Sequence, residues 1–220
     1  MYFQKVLKGI PNLSKSEVEA MVWQNGIFCN WWRKKGTIMA AEIKSELTES
    51  NLLHHLNDYD KPLPTGHPWS AYGSTYGEVS AFISTTAGVV ERDNYKKRNI
   101  VFAPFMTAIR FATESFKTDG WLFYAYVMTL GKKSVELQGF SEEIRELNIY
   151  TQYLRYHHEG EIAAKISIPS VAIEKAEQYS GPPVLAALRA GQKPTPVDTV
   201  DNASYLGPEK YCNIRELLNP

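Results

Sequence analysis

From Glu159 to Ile168 the chain reads Glu-Gly-Glu-Ile-Ala-Ala-Lys-Ile-Ser-Ile, and this alternation constrains the fold more than any other stretch. Successive side chains of a strand point to opposite faces. Ile162, Ala164, Ile166 and Ile168 therefore share an apolar face, and Glu159, Glu161, Ala163, Lys165 and Ser167 share the other. One side must be buried against a core, which makes this a sheet strand. Glu159 and Glu161 stand about 7 Å apart along it, at a rise of about 3.3 Å per residue. Two carboxylates that close raise each other's proton affinity unless a cation or a charge-accepting group lies between them. Gly160 leaves one side of the backbone open to a close approach. A solvated face at the start of a hairpin explains the same residues, so the pair alone does not define a site.

The 220 residues fit one domain, or one domain with a trailing segment. Lys plus Arg (24) and Asp plus Glu (24) cancel, which removes the basic field that nucleic-acid binding relies on. No apolar run approaches the roughly 20 residues of a transmembrane helix. The start, Met1-Tyr-Phe-Gln-Lys, lacks the pattern of a signal peptide. A disulfide between Cys29 and Cys212 would close nearly the whole chain and stabilise it by about 4 kcal/mol; two buried free thiols fit equally well, so the compartment stays open.

Along the chain, Ser14 and Glu17 form a capping box ahead of a helix carrying Val18, Met21 and Val22, which Asn25-Gly26 stops. Aromatic, β-prone Ile27 to Arg33 reads as a strand. Thr37 caps a helix over Ile38 to Leu47, and Thr48 another over Glu49 to Leu56. The Pro- and Gly-punctuated stretch from Asp58 to Ser74 is loop, and Glu78 to Thr86 is a strand. Phe105 to Phe116 reads as an amphipathic helix with Ile109, Phe111 and Ala112 inward. Trp121 to Met128 is a continuously apolar central strand. A short strand over Ser134 to Leu137, a short helix over Ser141 to Leu147 and a Pro-started helix over Pro183 to Ala190 complete the pattern. Strands mixed with helices without regular βαβ alternation give an α+β class. Three segments are expected: an N-terminal helical extension over 1–26, the main domain over 27–191, and an extended C-terminal tail over 192–220 packed on it.

His54-His55 and His157-His158 are adjacent pairs whose members diverge, and the cysteines lack zinc spacing, so no metal site is expected. No Gly-rich phosphate loop or G-x-S-x-G elbow is present.

Phe82-Ile-Ser-Thr-Thr86, Ala108-Ile-Arg-Phe-Ala112 and Glu159-Gly-Glu-Ile-Ala-Ala164, in that order, resemble the motifs of the cholera- and pertussis-toxin-like mono-ADP-ribosyltransferases, over roughly residues 27 to 170. That family's pattern is an Arg on an early strand, a Ser-Thr-Ser-like strand and Glu-x-Glu before a late strand. Here Trp32-Arg33-Lys34-Lys35 lacks the family's Asp after the Arg, but Arg33 is the first arginine and the next, Arg92, lies beyond the Ser-Thr-Thr strand. Thr86 stands where a Ser is usual.

The resemblance implies an ADP-ribosyltransferase-like split β-sandwich of two packed sheets with flanking helices. It further implies transfer of ADP-ribose from NAD to an arginine of a protein acceptor, by a toxin or effector that is secreted or delivered into a host cell. Catalytic roles fall on Glu161, Glu159 and Ser84, and NAD binding on Arg33, Ser84, Thr85 and Thr86. Glu161 would stabilise the oxocarbenium-like cation formed when nicotinamide leaves, Ser84 would hydrogen-bond and orient Glu161, Arg33 would grip the phosphates, and Glu159 would align the incoming nucleophile. Tyr150, Tyr153 and Tyr156 precede the Glu pair, where family members meet their target. Strand-end packing explains them equally well. A basic loop (Arg92, Lys96, Lys97 and Arg98) reads first as solvated, and Phe102 and Phe105 as core. Two other readings stand beside this one: an NAD glycohydrolase on the same fold, and a catalytically silent binding module.

Overall fold

The structure, a computed structural model, describes residues 2–35, 45–87, 92–93, 98–99, 103–129, 141–143 and 161–208. It is α+β, and its contacts fall into two compact units. The first gathers 28–84 and 128–167; the second gathers 3–27, 85–127 and 168 onward. Residues expected as an N-terminal extension and as a C-terminal tail thus share the second unit.

In the second unit, β1 (Tyr2–Pro11) pairs antiparallel with the end of β3 (Phe82–Ala87), Leu7 opposite Thr86. Helix α1 (Lys15–Ala20) starts at Ser14 with the expected capping box, the Glu17 side chain accepting from the Ser14 N–H. The apolar run forms β6 (Asp119–Thr129), and Trp121, Leu122 and Phe123 are essentially fully buried. Strand β10 (Ile173–Ser180) pairs antiparallel with β6, and β11 (Asp198–Asp201) pairs with β10. The expected tail therefore contributes a sheet strand. Helices α4 (Ala103–Ala112) and α5 (Gly181–Arg189, with Pro in its first turn) pack Ala108, Ile109 and Val184 against Leu122 and Tyr179. Gly120 makes this possible, because a Cβ there would meet the Ala112 carbonyl oxygen at 1.6 Å. Phe105 joins this core edge-on to Tyr179. Phe111, expected to face inward, is 63 % exposed: the inward stripe is Ala108, Ile109 and Ala112, and Phe111 falls on the opposite side.

Strand β10 carries a polar knot. Tyr124 and Tyr179 both donate to Glu177 Oε2 at 2.7 Å, and Lys175 donates to Oε1 at 2.6 Å. These polar residues at inward positions hide the strand's apolar period, which is why nothing in the sequence announces it.

In the first unit, Ile27 to Arg33 is not one strand. β2 (Ile27–Phe28) gives way to helix α2 (Asn30–Lys35), because burying Trp31 and stacking Phe28 on Trp32 at 5.6 Å demands helical rather than alternating spacing. Helix α3 (Glu49–Asn57) is capped by Thr48 as expected, whose side chain accepts from the Asn51 N–H. Strand β8 (Glu161–Lys165) neighbours β3, and its other side pairs antiparallel with β7 (Ser141–Glu143), which stands where a helix was expected. Ile162, Ala163, Ala164 and Lys165 are all buried, so β8 is covered on both faces rather than one. The alternation also stops early. Ile166 has φ +65°, a costly left-handed conformation for a β-branched residue, before β9 (Ser167–Ile168) begins. Two hydrogen bonds hold it there: its N–H donates to the Ala81 carbonyl and its carbonyl accepts from the Cys29 N–H. Cys29 is a free, buried thiol, and burial pushes its pKa up to about 11. Cys212, the strand expected over 134–137 and most of the helix expected over 38–47 lie outside the described residues.

Burial alone would raise the Glu177 carboxyl, but the bonds from Lys175, Tyr124 and Tyr179 outweigh it and hold the group below the ordinary glutamate value. A depressed folded-state pKa stabilises above the unfolded value of about 4.3 and is lost as pH falls through the lower folded value. Glu177→Ala is expected to cost about 3 kcal/mol, since it leaves buried phenols without an acceptor. Thermal melting between pH 7 and 3 should show the gap between variant and parent closing toward acid.

Candidate functional site

Leu52, His55 and Leu56 occupy the buried face of α3, at helical spacings of three and four residues. A histidine on such a stripe must find partners for two ring nitrogens. His55 is 4 % exposed and has both. Ser80 Oγ lies 2.7 Å from Nδ1, and Ser84 Oγ lies 2.8 Å from Nε2. Glu161 Oε1, at the start of β8, is 3.8 Å from the same Nε2.

The carboxylate beside Nε2 favours the tautomer with its proton there. Nδ1 is then the acceptor and Ser80 O–H the donor, while Ser80 Oγ also accepts from the Phe82 N–H at 3.1 Å. In that arrangement Ser84 accepts from His55, and no acceptor for its own proton is seen among the described residues. For Ser84 the order of groups excludes a Ser-His-acid nucleophile relay, in which the acid holds the nitrogen remote from the serine. Ser80 does lie across the ring from the carboxylate, but it is buried and its Oγ already accepts from the Phe82 N–H. Here serine and carboxylate share one nitrogen, and the arrangement suits holding a carboxylate and a hydroxyl in fixed relation around a reacting centre.

Tyr59, one turn beyond His55, packs its ring 5.5 Å from the imidazole at 75°. Its hydroxyl accepts from Asn30 Nδ2 at 2.9 Å, and Asn30 also donates to the Gly77 carbonyl at 2.9 Å. Gly77 lies flat under the ring: a Cβ there would come within 2.5 Å of it. Loss of solvent raises the Tyr59 phenol above its ordinary value. The Asn30 bond and the Arg33 charge oppose that shift, and the charges of Asp60 and Glu78 add to it.

Of the residues singled out from sequence, Ser84 and Glu161 converge, but through His55: the Ser84 hydroxyl bonds the imidazole and not the carboxylate. Arg33 is exposed on α2 rather than on a strand, and its charge is felt at Tyr59. Thr85 and Thr86 are each 4 % exposed and fall in the second unit. Glu159, with Tyr150, Tyr153 and Tyr156, lies outside the described residues. His55, Ser80 and Tyr59 were not anticipated. The available signal was a histidine inside an Leu-x-x-His-Leu stripe, a position that is apolar by period and polar by type.

No protein-family model matches the chain, and no curated protein matches it. Among solved structures, a chain titled EcPltA aligns at 15% sequence identity with a TM-score of 0.45, covering 93% of this chain and 87% of that one. A likeness this distant fixes neither fold family nor activity. Among the described residues no group of three or more His, Cys, Asp or Glu could hold a metal ion, and no helix is long and apolar enough to cross a membrane.

Removing the donor to Nδ1 should disturb the ring that the rest of the cluster leans on. In ¹⁵N spectra of labelled protein, His55 is expected as the Nε2–H tautomer, and Ser80→Ala should move population toward Nδ1–H. An unchanged spectrum in Ser80→Ala would contradict the assigned direction of these bonds. The lost bond should also cost about 1–2 kcal/mol in denaturant unfolding.

Proposed function

We propose that the protein is an NAD-dependent mono-ADP-ribosyltransferase of the cholera- and pertussis-toxin type, acting on an arginine of a protein acceptor. The observation that carries this reading is the meeting of Ser84, His55 and Glu161, from two neighbouring strands and a helix, around one imidazole nitrogen. It is supported by the order of the Ser-Thr-Thr and Glu-x-Glu motifs and by an exposed Arg33 whose charge reaches Tyr59. On this reading the two-sheet sandwich of that family is the fold, and the site residues are Arg33, Ser84, Glu159 and Glu161, joined by His55, while Thr85 and Thr86 are buried and left to support the strand.

In the reaction, the bond between C1′ of the ribose and the nicotinamide nitrogen breaks, and the electron pair leaves with nicotinamide. The ribose carries cationic character meanwhile, and a fixed carboxylate in a partly dry site stabilises it more than water would. Glu161 supplies that charge. His55 holds Ser84 beside it, so that neither group reorganises as charge develops. Arg33 fits the role of binding the pyrophosphate, with a planar fork that a Lys lacks. Glu159 takes the proton that a guanidinium nitrogen sheds as it attacks C1′. A Glu at this place, where the family also uses Gln, accompanies arginine as acceptor. Secretion or delivery into a host cell follows from the same family reading.

Incubation with labelled NAD, with and without agmatine as an arginine mimic, tests the proposal. Label on agmatine supports it. Free ADP-ribose alone indicates a glycohydrolase, and no turnover a silent module. Glu161→Gln should lower all NAD turnover at least about a hundredfold. Glu159→Gln should remove transfer while leaving hydrolysis measurable, and an equal loss of both would count against its acting on the acceptor. His55→Ala should lower kcat by about tenfold or more with a smaller change in KM, because it frees the groups that meet the transition state.

A further inference from the structure

The loop that leaves α3 carries a feature the reaction above does not use. Tyr59 is 41 % exposed, yet its ring is fixed on three sides: by the His55 imidazole, by the Gly77 backbone and by the hydrogen bond from Asn30. Its backbone is tied down too, since the Tyr59 carbonyl accepts from the Gly77 N–H at 2.8 Å. A large aromatic held rigid while open to solvent is arranged for contact, because its ordering cost is met before a ligand arrives.

Asp60 follows it and is exposed. Among the described residues no ion pair holds its carboxylate: neighbouring Lys61 reaches Asp58 Oδ1 at 2.6 Å, and His54 Nδ1 reaches Asp58 Oδ2 at 2.9 Å. Lys61 and the His54 ring are thus both engaged by Asp58. A rigid aromatic ring followed by an exposed carboxylate whose charge bears on it supplies the two groups that recognise a guanidinium, which stacks on the ring and presents its planar fork to the acid.

We propose that Tyr59 and Asp60 form the docking subsite for the guanidinium of the acceptor arginine. The inference rests on arginine being the acceptor, and it names where that side chain is held before attack: beside His55, and so beside the Ser84 and Glu161 cluster. Arg33 is the competing claimant for Asp60, since its charge bears on the same phenol.

The test uses the whole chain, with agmatine varied at saturating NAD and nicotinamide release followed separately without acceptor. Asp60→Asn should raise the KM for agmatine about tenfold and leave acceptor-free hydrolysis within about twofold of the parent. Tyr59→Phe, which keeps the ring, should leave that KM nearly unchanged. Tyr59→Leu, which keeps the bulk and loses the π face, should raise it about tenfold. Parallel loss of transfer and hydrolysis in Asp60→Asn, or a raised KM for NAD in its place, would overturn the subsite and give Asp60 to Arg33. Normal agmatine kinetics in both Asp60→Asn and Tyr59→Leu would also overturn it, while leaving the transferase reading intact. A parent protein that splits NAD but never modifies agmatine would instead sink arginine as acceptor, and the subsite with it.

Discussion

An imidazole has two nitrogens on different sides of a flat ring, and in this protein each meets a serine. Everything at the candidate site depends on that double attachment. His55 enters an otherwise apolar helix face, where an unbonded ring would be costly, and Ser80 and Ser84 remove the cost while fixing the ring plane. The ring in turn sets the spacing between a strand-borne hydroxyl and a strand-borne carboxylate. None of the three groups is unusual by itself. Their chemistry comes from being immobilised together, partly out of water, where a charge keeps its strength.

The same logic of a polar group made tolerable by complete bonding appears in the second unit with a different outcome. Glu177 accepts from Lys175, Tyr124 and Tyr179, so its oxygens are fully engaged. It ties two strands together and has nothing left to offer a ligand. At the other site, Glu161 stands 3.8 Å from the imidazole nitrogen that Ser84 also bonds. Two carboxylates of similar accessibility thus sit in different company, one in a knot of phenols and an ammonium, the other beside an imidazole and a serine.

Sequence patterns carried the architecture where one force dominated. Helix starts at Ser14 and Thr48 were legible because a hydroxyl that accepts from a nearby backbone N–H is a local event. Strand β6 was legible because burial on both faces leaves no polar residues to interrupt it. Reading failed where two requirements competed. Ile27 to Arg33 has the composition of a strand, but two adjacent tryptophans with unequal exposure fit a helix turn. Strand β10 was hidden by its own inward-facing charges. At the site, Ser84 and Glu161 were visible by motif. His55 was not, because the sequence shows a neighbour pair, His54-His55, and only the helix separates a half-buried ring bonded to Asp58 from a fully buried one bonded to two serines. Ser80 could not be seen at all, since its role is defined by the partner it meets.

The left-handed residue between β8 and β9 has a consequence for the carboxylate five positions before it. Ile166 is fastened to Ala81 on one side and Cys29 on the other, and neither link survives a slip of β8 by a single residue. The joint therefore works as a stop on a rail. It sets how far β8 can run along β3, and with it the depth at which Glu161 reaches the imidazole nitrogen that Ser84 bonds.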